Sequence, residues 1–372
     1  MKNFDNLRVA IVCDWLTGHG GAERVVHIFH ELFPGAPIYT SQYDPTDLEW
    51  TKNAQVETTL LQRLPKNLKK FLPVLRAWSF SHLKLNGYDL ILSSSGAEAK
   101  GTKTSHSTLQ ICYCHAPTHY YWDRYDEYLE HPGFGKLDFI ARIGLKILAK
   151  PMRWWDFRAA QRPTVLVTNS NHSKEKIKQY YERDAIVIPP PVNVGLFKPT
   201  KNLKRAGFVI AGRQTPYKRF DLAVGACTKH NLPLTVVGNG PDHEKLVKIA
   251  GPTITFVTEV SDNQMPEYFQ RAEAFIFPDM DDFGIVAVEA MAAGTPVIAF
   301  KGGGALDYVV PGVTGEFFSE ENVDSLSERL VSFNSSKYSQ SKIVESAQKY
   351  SAERFQQAFS DLINRELQKK EI

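Results

Sequence analysis

Phe277-Pro-Asp-Met-Asp-Asp-Phe-Gly-Ile-Val-Ala-Val-Glu-Ala-Met-Ala-Ala-Gly-Thr-Pro-Val297 is the stretch on which the reading of this chain turns. It opens on the end of a short apolar run, Ala274–Phe277, whose length and composition predict a buried parallel strand. A polar, acidic loop comes next, and Phe283-Gly-Ile-Val286 then opens a helix. Strand, loop and helix N-terminus in that order predict a ligand at the carboxyl edge of an open α/β sheet. The first backbone N–H groups of such a helix, with its dipole, suit a phosphate. Asp281 and Glu289 lie eight residues apart. With Asp281 ahead of the helix and Glu289 in its third turn, both carboxylates can face one crevice. One would meet a sugar and the other the hydroxyls of a ribose.

The same rhythm runs outward in both directions. Gly207–Ala211 reads as a strand, Gly212–Arg219 as a loop and Phe220–Cys227 as a helix. Further strands at Leu234–Val237, Ile254–Val257 and Pro296–Phe300 alternate with helical segments, the α/β pattern. Upstream, Leu7–Cys13 is a strand, followed by a glycine-bearing loop and a helix with Val25, Val26, Phe29, Leu32 and Phe33 at helical spacing. Asp89–Ser93, Leu109–Cys114, Val165–Thr168 and Ala185–Ile188 complete that half. Pro189-Pro-Pro191 interrupts the pattern, because consecutive prolines admit neither helix nor ladder hydrogen bonds. The expected organisation is a domain over 1–190, a linker over 191–206 and a second domain over 207–350. A helical tail over 351–372 would cross back to the first domain.

Bulk properties set the limits. A chain of 372 residues is long enough for two cores. A net charge of +3 gives no ground for a nucleic-acid partner. Four cysteines do not make a disulfide framework and suit a reducing compartment. With neither a leader-like apolar segment nor a membrane-length apolar run, the chain reads as cytoplasmic.

The segment Asp281–Val297 resembles the retaining glycosyltransferases of the GT4 family, whose fold is GT-B, two Rossmann-like doubly wound domains. Their hallmark is a glutamate, seven residues and a second glutamate, with Phe-Gly after the first and Glu-Ala-Met-Ala-x-Gly-x-Pro-Val at the second. Here Asp281 stands where the family has the first glutamate, one methylene shorter. The resemblance implies that Asp281 contacts the transferred sugar and Glu289 the ribose, with Phe283, Gly284, Ile285 and Val286 at the phosphates. Gly212-Arg-Gln-Thr-Pro-Tyr-Lys-Arg219 is similar to the family's diphosphate-clamping loop, which assigns Arg213 and Lys218 to that task. Two cations on such a loop would neutralise a pyrophosphate leaving group. Gly238 and Asn239 sit in what looks like the family's second strand-end turn. Glu259 and Val260 fall where its backbone reads the base, and Gly302-Gly-Gly304 resembles the next glycine turn. In the first half, Gly20 and Gly21 resemble the donor-facing loop. Cys112–Asp123 resembles the segment of bacterial O-antigen mannosyltransferase-like members in which His115 lies near the sugar. That likeness alone implies GDP-mannose as donor.

Three other patterns invite a metal or a membrane. Asp279-Met-Asp281 spells a metal-binding Asp-x-Asp, but Arg213 and Lys218 can do a metal's electrostatic work, so no metal or other cofactor is expected. Cys112, Cys114 and His115 lack a second ligand pair for zinc. Glu23, His27, His30 and Glu31 read as an exposed polar helix face. Between Leu61 and Leu85, Arg63, Lys66, Lys69, Lys70, Arg76 and Lys84 are interleaved with Leu68, Phe71, Trp78 and other apolar residues. Lys136 to Arg162 adds Arg142, Lys146, Lys150, Arg153 and Arg158 with Trp154 and Trp155. Such segments lie on an anionic membrane or pack on the sheet with snorkelling cations. The expected activity is transfer of a sugar, retaining and metal-independent, from a nucleotide-sugar donor to a glycan or lipid-linked glycan acceptor. A dTDP- or UDP-sugar transferase, a sugar-nucleotide epimerase and a non-catalytic nucleotide-sugar-binding protein are the rivals.

Overall fold

The computed structural model describes residues 4, 6–18, 20–65, 72–133, 135–200 and 203–370, the side chain of Lys136 excepted. The chain divides into two compact units, Met1–Pro190 with Gln356–Ile372, and Pro191–Phe355. Each is built on one parallel sheet, and together they are the two doubly wound α/β domains that the sequence predicts.

In the first unit the strands are β1 (Val9–Cys13), β2 (Ile38–Thr40), β3 (Val56–Thr58), β4 (Leu90–Ser95), β5 (Leu109–Cys114), β6 (Val165–Thr168) and β7 (Ile186–Val187). Their spatial order is β3-β2-β1-β4-β5-β6-β7. Its helices are α1 (Gly21–Leu32), α2 (Pro73–Ser81), α3 (Tyr125–Glu130), α4 (Asp138–Ala160) and α5 (Asn171–Tyr181). Every residue of β1, β4 and β5 is buried, as a strand covered on both faces requires.

In the second unit the strands are β8 (Phe208–Ala211), β9 (Leu234–Val237), β10 (Ile254–Val257), β11 (Ala274–Phe277), β12 (Val297–Phe300) and β13 (Gly315–Phe318), ordered β10-β9-β8-β11-β12-β13. The helices are α6 (Phe220–Lys229), α7 (His243–Ile249), α8 (Met265–Arg271), α9 (Ile285–Ala292), α10 (Val323–Ser332) and α11 (Gln340–Gln348), while α12 (Ala352–Lys369) starts in this unit and from Gln356 onward belongs to the first. Alternate residues feed two cores. Phe208, Ile210, Ala274 and Ile276 pack with α6, while Val209, Ala211, Phe275 and Phe277 pack with α9. Side chains alternate across a strand, so a covered sheet needs apolar residues at both parities.

The structure departs from the sequence expectations in several places. It adds β2, β3 and β13, and the helix after Phe283 begins two residues later than predicted. Arg76, expected on a basic surface, is buried and ion-paired to Glu98 at 2.8 Å. Lys66, Leu68, Lys69, Lys70 and Phe71 of that surface lie outside the described residues.

Candidate functional site

In the second sheet the chain leaves β8 toward β9 and β10, then returns to add β11, β12 and β13 on the other side. The reversal lies between β8 and β11, where an open α/β sheet leaves a crevice for ligand. The loop after β8 ends in a single 3-10 turn, Pro216–Lys218, and the loop after β11 carries Asp279 and Asp281. Lys218 Nζ stands 2.8 Å from Asp279 Oδ2 and 2.8 Å from Asp281 Oδ2. The Asp-x-Asp pair is therefore engaged by a lysine from the loop after the neighbouring strand. Burial would lower the Lys218 pKa, but Asp281 and Asp279 together outweigh it and raise it. Burial pushes Asp279 up to about 6, against the pull of Lys218.

The turn into α9 is set by Gly284, whose φ of +86° favours glycine. A Cβ there would sit 2.4 Å from the Phe277 ring and 2.7 Å from Tyr308 Oη. With Gly284 left-handed, α9 begins at Ile285, and its first internal bond runs from Ala287 N–H to the Gly284 carbonyl at 3.0 Å. Ile285 and Val286 supply the N–H groups ahead of that bond. Glu289 consequently lies in the second turn, not the third, and its side chain is buried. Phe283 is buried in the core cluster beside Ala287. The glycine turn after β12 props this loop from below: Gly304 N–H donates to the Asp281 carbonyl at 2.8 Å. A Cβ on Gly304 would lie 2.4 Å from Phe283 Cα, so only glycine lets the two loops approach this closely.

Gln214, which sequence reasoning passed over, ties the β8 loop to the β9 loop. It is fully buried, its Nε2 donates to the Gly238 carbonyl at 2.6 Å, and its backbone N–H donates to the Asn239 carbonyl at 3.0 Å. His243 Nδ1 meets its Oε1 at 2.8 Å. Gly238 and Asn239 are thereby fixed beside the Lys218 loop. Val260 packs against the core cluster that holds Phe283 and Ala287. Arg213 and Glu259 have exposed side chains.

The first unit has its own reversal, between β1 and β4. Gly20 precedes α1 and Gly21 begins it. His115 follows β5, and its Nε2 meets Ser94 Oγ at the end of β4 at 2.8 Å. Its carbonyl accepts from Asn169 Nδ2 at 2.8 Å. Most of the segment after His115 is engaged in structure. Asp156 of α4 is fully buried, ion-pairs with Lys100 at 2.8 Å, and accepts from Thr118, Trp122 and Tyr181 at 3.0, 2.7 and 2.6 Å. Tyr120 donates to Glu98 at 2.7 Å, the carboxylate that also holds Arg76. Asp123 pairs with Lys176 at 2.6 Å and His119 at 3.0 Å. Asp14, at the end of β1, accepts backbone N–H groups of Gly96, Ala97 and Ala99 at 2.8, 2.9 and 2.7 Å. None of Asp14, Glu98, Lys100 and Asp156 stands out from sequence. The available signal is a charge set within small or aromatic neighbours, as in Trp154-Trp-Asp-Phe157.

Two smaller expectations resolve here. Cys112 and Cys114 are buried in a core cluster with Leu166 and Ile177, and burial pushes the Cys112 thiol up to about 11. The polar face of α1 is half-buried rather than open at its histidines, with His27 stacked on Trp50 at 4.8 Å between ring centroids.

Residues 196–350 match the family described as glycosyl transferases group 1. The chain is also similar to the D-inositol 3-phosphate glycosyltransferase of Streptomyces avermitilis, 29% identical over 40% of this chain and 40% of the relative. It resembles the GDP-mannose-dependent alpha-(1-6)-phosphatidylinositol monomannoside mannosyltransferase of Mycolicibacterium smegmatis, 27% identical over 37% of this chain and 44% of the relative. The matched part thus spans less than half the length of these curated relatives. Among solved structures, sucrose-phosphate synthase from Thermosynechococcus elongatus superposes with a TM-score of 0.71 at 19% identity, over 96% of this chain and 98% of the other. Anabaena HepE in complex with UDP-glucose superposes at 0.64 and 16% identity, over 96% and 99%. These likenesses show the GT-B fold.

Proposed function

We propose that the chain transfers a sugar from a nucleotide-sugar donor to a glycan or lipid-linked glycan acceptor, in synthesis of a cell-surface polysaccharide or glycolipid. The observation that carries this is Lys218 held between Asp279 and Asp281 at the reversal of the second sheet, beside the α9 N-terminus that bears Glu289. In this reading Glu289 accepts from the ribose hydroxyls, and Ile285 and Val286 N–H donate to the diphosphate. Arg213 and Lys218 offset the charge that builds on the diphosphate as it leaves. Asp281 orients the transferred sugar. The bond from the anomeric carbon to the phosphate oxygen breaks as the acceptor hydroxyl bonds to the same face. Its proton passes to the departing phosphate, so configuration is retained, and the two cations make a metal unnecessary.

GDP-mannose is the preferred donor, from the resemblance around His115 and from the likeness to the GDP-mannose-dependent mycobacterial relative. The complex of Anabaena HepE with UDP-glucose favours a uridine nucleotide as the second reading. Thermal-shift titration against GDP-mannose, UDP-glucose and dTDP-rhamnose tests the site. One donor should raise Tm by mass action, and no shift with any would overturn the proposal. Glu289→Ala should weaken that donor roughly 10- to 100-fold, since hydrogen bonds to a charged group contribute about 1.5–3 kcal/mol. His115→Ala should lower turnover while leaving donor affinity in place. Activity surviving chelation, with an α-linked product from an α-linked donor, would support the metal-independent, retaining chemistry.

A further inference from the structure

Helix α4 runs for 23 residues and is apolar on both sides. Its inner side packs Met152 into a cluster with Ala77 of α2 and Tyr121, with Leu145, Leu148 and Trp155 against it, and buries Asp156. On the opposite side Phe139, Ile140, Ile143, Ile147 and Trp154 are exposed, Phe139 at 66%, Ile147 at 68% and Trp154 at 63%. Steps of four from Phe139 to Ile147 and then seven to Trp154 keep these residues on one stripe. An exposed stripe of large apolar residues on a folded domain marks a contact surface. Neighbouring α2 repeats the arrangement, with Ala77 turned into the cluster and Val74, Leu75 and Trp78 exposed.

The charges on α4 identify the occupant. Lys146, Lys150 and Arg158 are exposed, and the Arg158 guanidinium lies 4.7 Å from the centre of the Trp154 ring. The helix has two carboxylates: Asp156 is buried and paired, and Asp138 is in the first turn. Arg142 sits at the edge nearest the acidic helix α3 and donates to the Leu129 and Glu130 carbonyls at 2.9 and 3.0 Å. Arg153 is turned inward over the Trp122 and Tyr125 rings. A protein partner or a second copy would have to accept Lys146 and Lys150 along an otherwise apolar stripe, whereas protein interfaces are depleted of lysine. A bilayer with anionic headgroups accepts both, since the apolar side chains enter the acyl boundary while lysine and arginine reach the headgroups.

We infer that the outer face of α4 is a docking surface for an anionic lipid bilayer. The inference stands on this face and is independent of the sugar-transfer reading.

Co-sedimentation of the full chain with phosphatidylcholine vesicles, with and without phosphatidylglycerol, tests it. Wild type should pellet with the anionic vesicles, and less so as salt rises. Ile143→Asp/Ile147→Asp should weaken partitioning roughly tenfold or more, with Tm and donor-induced shift kept, because both side chains already face solvent. Lys146→Glu/Lys150→Glu should remove the preference for phosphatidylglycerol. Wild type remaining in the supernatant with both vesicle types would overturn the inference, as would sedimentation of the Asp variant like wild type. So would a wild-type dimer that the Asp variant abolishes while vesicle binding is absent, which would assign the face to a second copy.

Discussion

Lys218 is the residue on which the second unit's crevice is balanced. One ammonium between two carboxylates leaves the group of three with a single net negative charge, a poor reception for a diphosphate unless one carboxylate gives up its charge or turns to another partner. Asp279 is the one suited to do so, because its pKa stands near 6 and not at the usual 3.8. The sign is fixed by which form burial penalises. A carboxyl raised in the folded state favours folding while protonated. That contribution is present below about pH 4 and disappears as pH climbs through about 6. Asp279→Asn should therefore flatten the Tm profile between about pH 4 and 6, where wild type loses stability with rising pH. A variant that keeps the wild-type slope would show that Asp279 ionises normally. Asp281 matters differently, because the shorter side chain reaches Lys218 at 2.8 Å, and this contact holds the ammonium at the loop in place of a longer acid.

At the scale of elements, the segment after β5 shows how a string of residues that reads as a motif is divided between chemistry and support. His115 is tied to the end of β4, while Thr118, Trp122 and Tyr181 converge on Asp156 of α4 and bind loop, α4 and α5 together. Asp156→Ala would leave Lys100 buried and uncompensated, a loss of about 3–5 kcal/mol. Replacing both, Asp156→Leu with Lys100→Met, should recover much of that. Urea unfolding of the single and double variants measures the difference, and equal losses would show the pair is not the source. This network was invisible in sequence because its members are scattered from Lys100 to Tyr181 and meet only through the topology. The strands that were legible, β1 and β4 to β12, are two to six residues long and made largely of β-branched, aromatic or other apolar residues. β2 and β3 have three residues each, and β13 begins with glycine and contains Glu316, so their pairing comes from neighbours rather than local pattern. Within the crevice, Glu289 and the cationic loop were expected from the family resemblance, and the glycines from their place at strand ends. The Lys218 partners and Gln214 were not, since nothing local specifies which strands lie side by side.

At the scale of the whole molecule, the chain assigns its last residues to its first unit. Gln356–Ile372 groups with Met1–Pro190, although Pro191–Phe355 lies between them in sequence. The contacts are specific: Phe359 packs on Phe29 at 4.7 Å between ring centroids, and Lys370 Nζ donates to the Thr108 carbonyl at 2.8 Å. Phe359, Leu362, Ile363 and Leu367 are all buried. Exposing four such side chains costs roughly 6–12 kcal/mol, on the order of the entire stability of a domain. A chain ending at Phe355 should therefore lose the calorimetric transition of the first unit and expose it to protease. The transition of the second unit should persist, because its two cores are made from its own residues. Residues 191–355 expressed alone should fold and bind the stabilising nucleotide within about tenfold of the full chain, since Glu289, Lys218 and the α9 N-terminus all lie inside that span. A folded 191–355 fragment with no nucleotide affinity would refute a donor site built from the second unit alone.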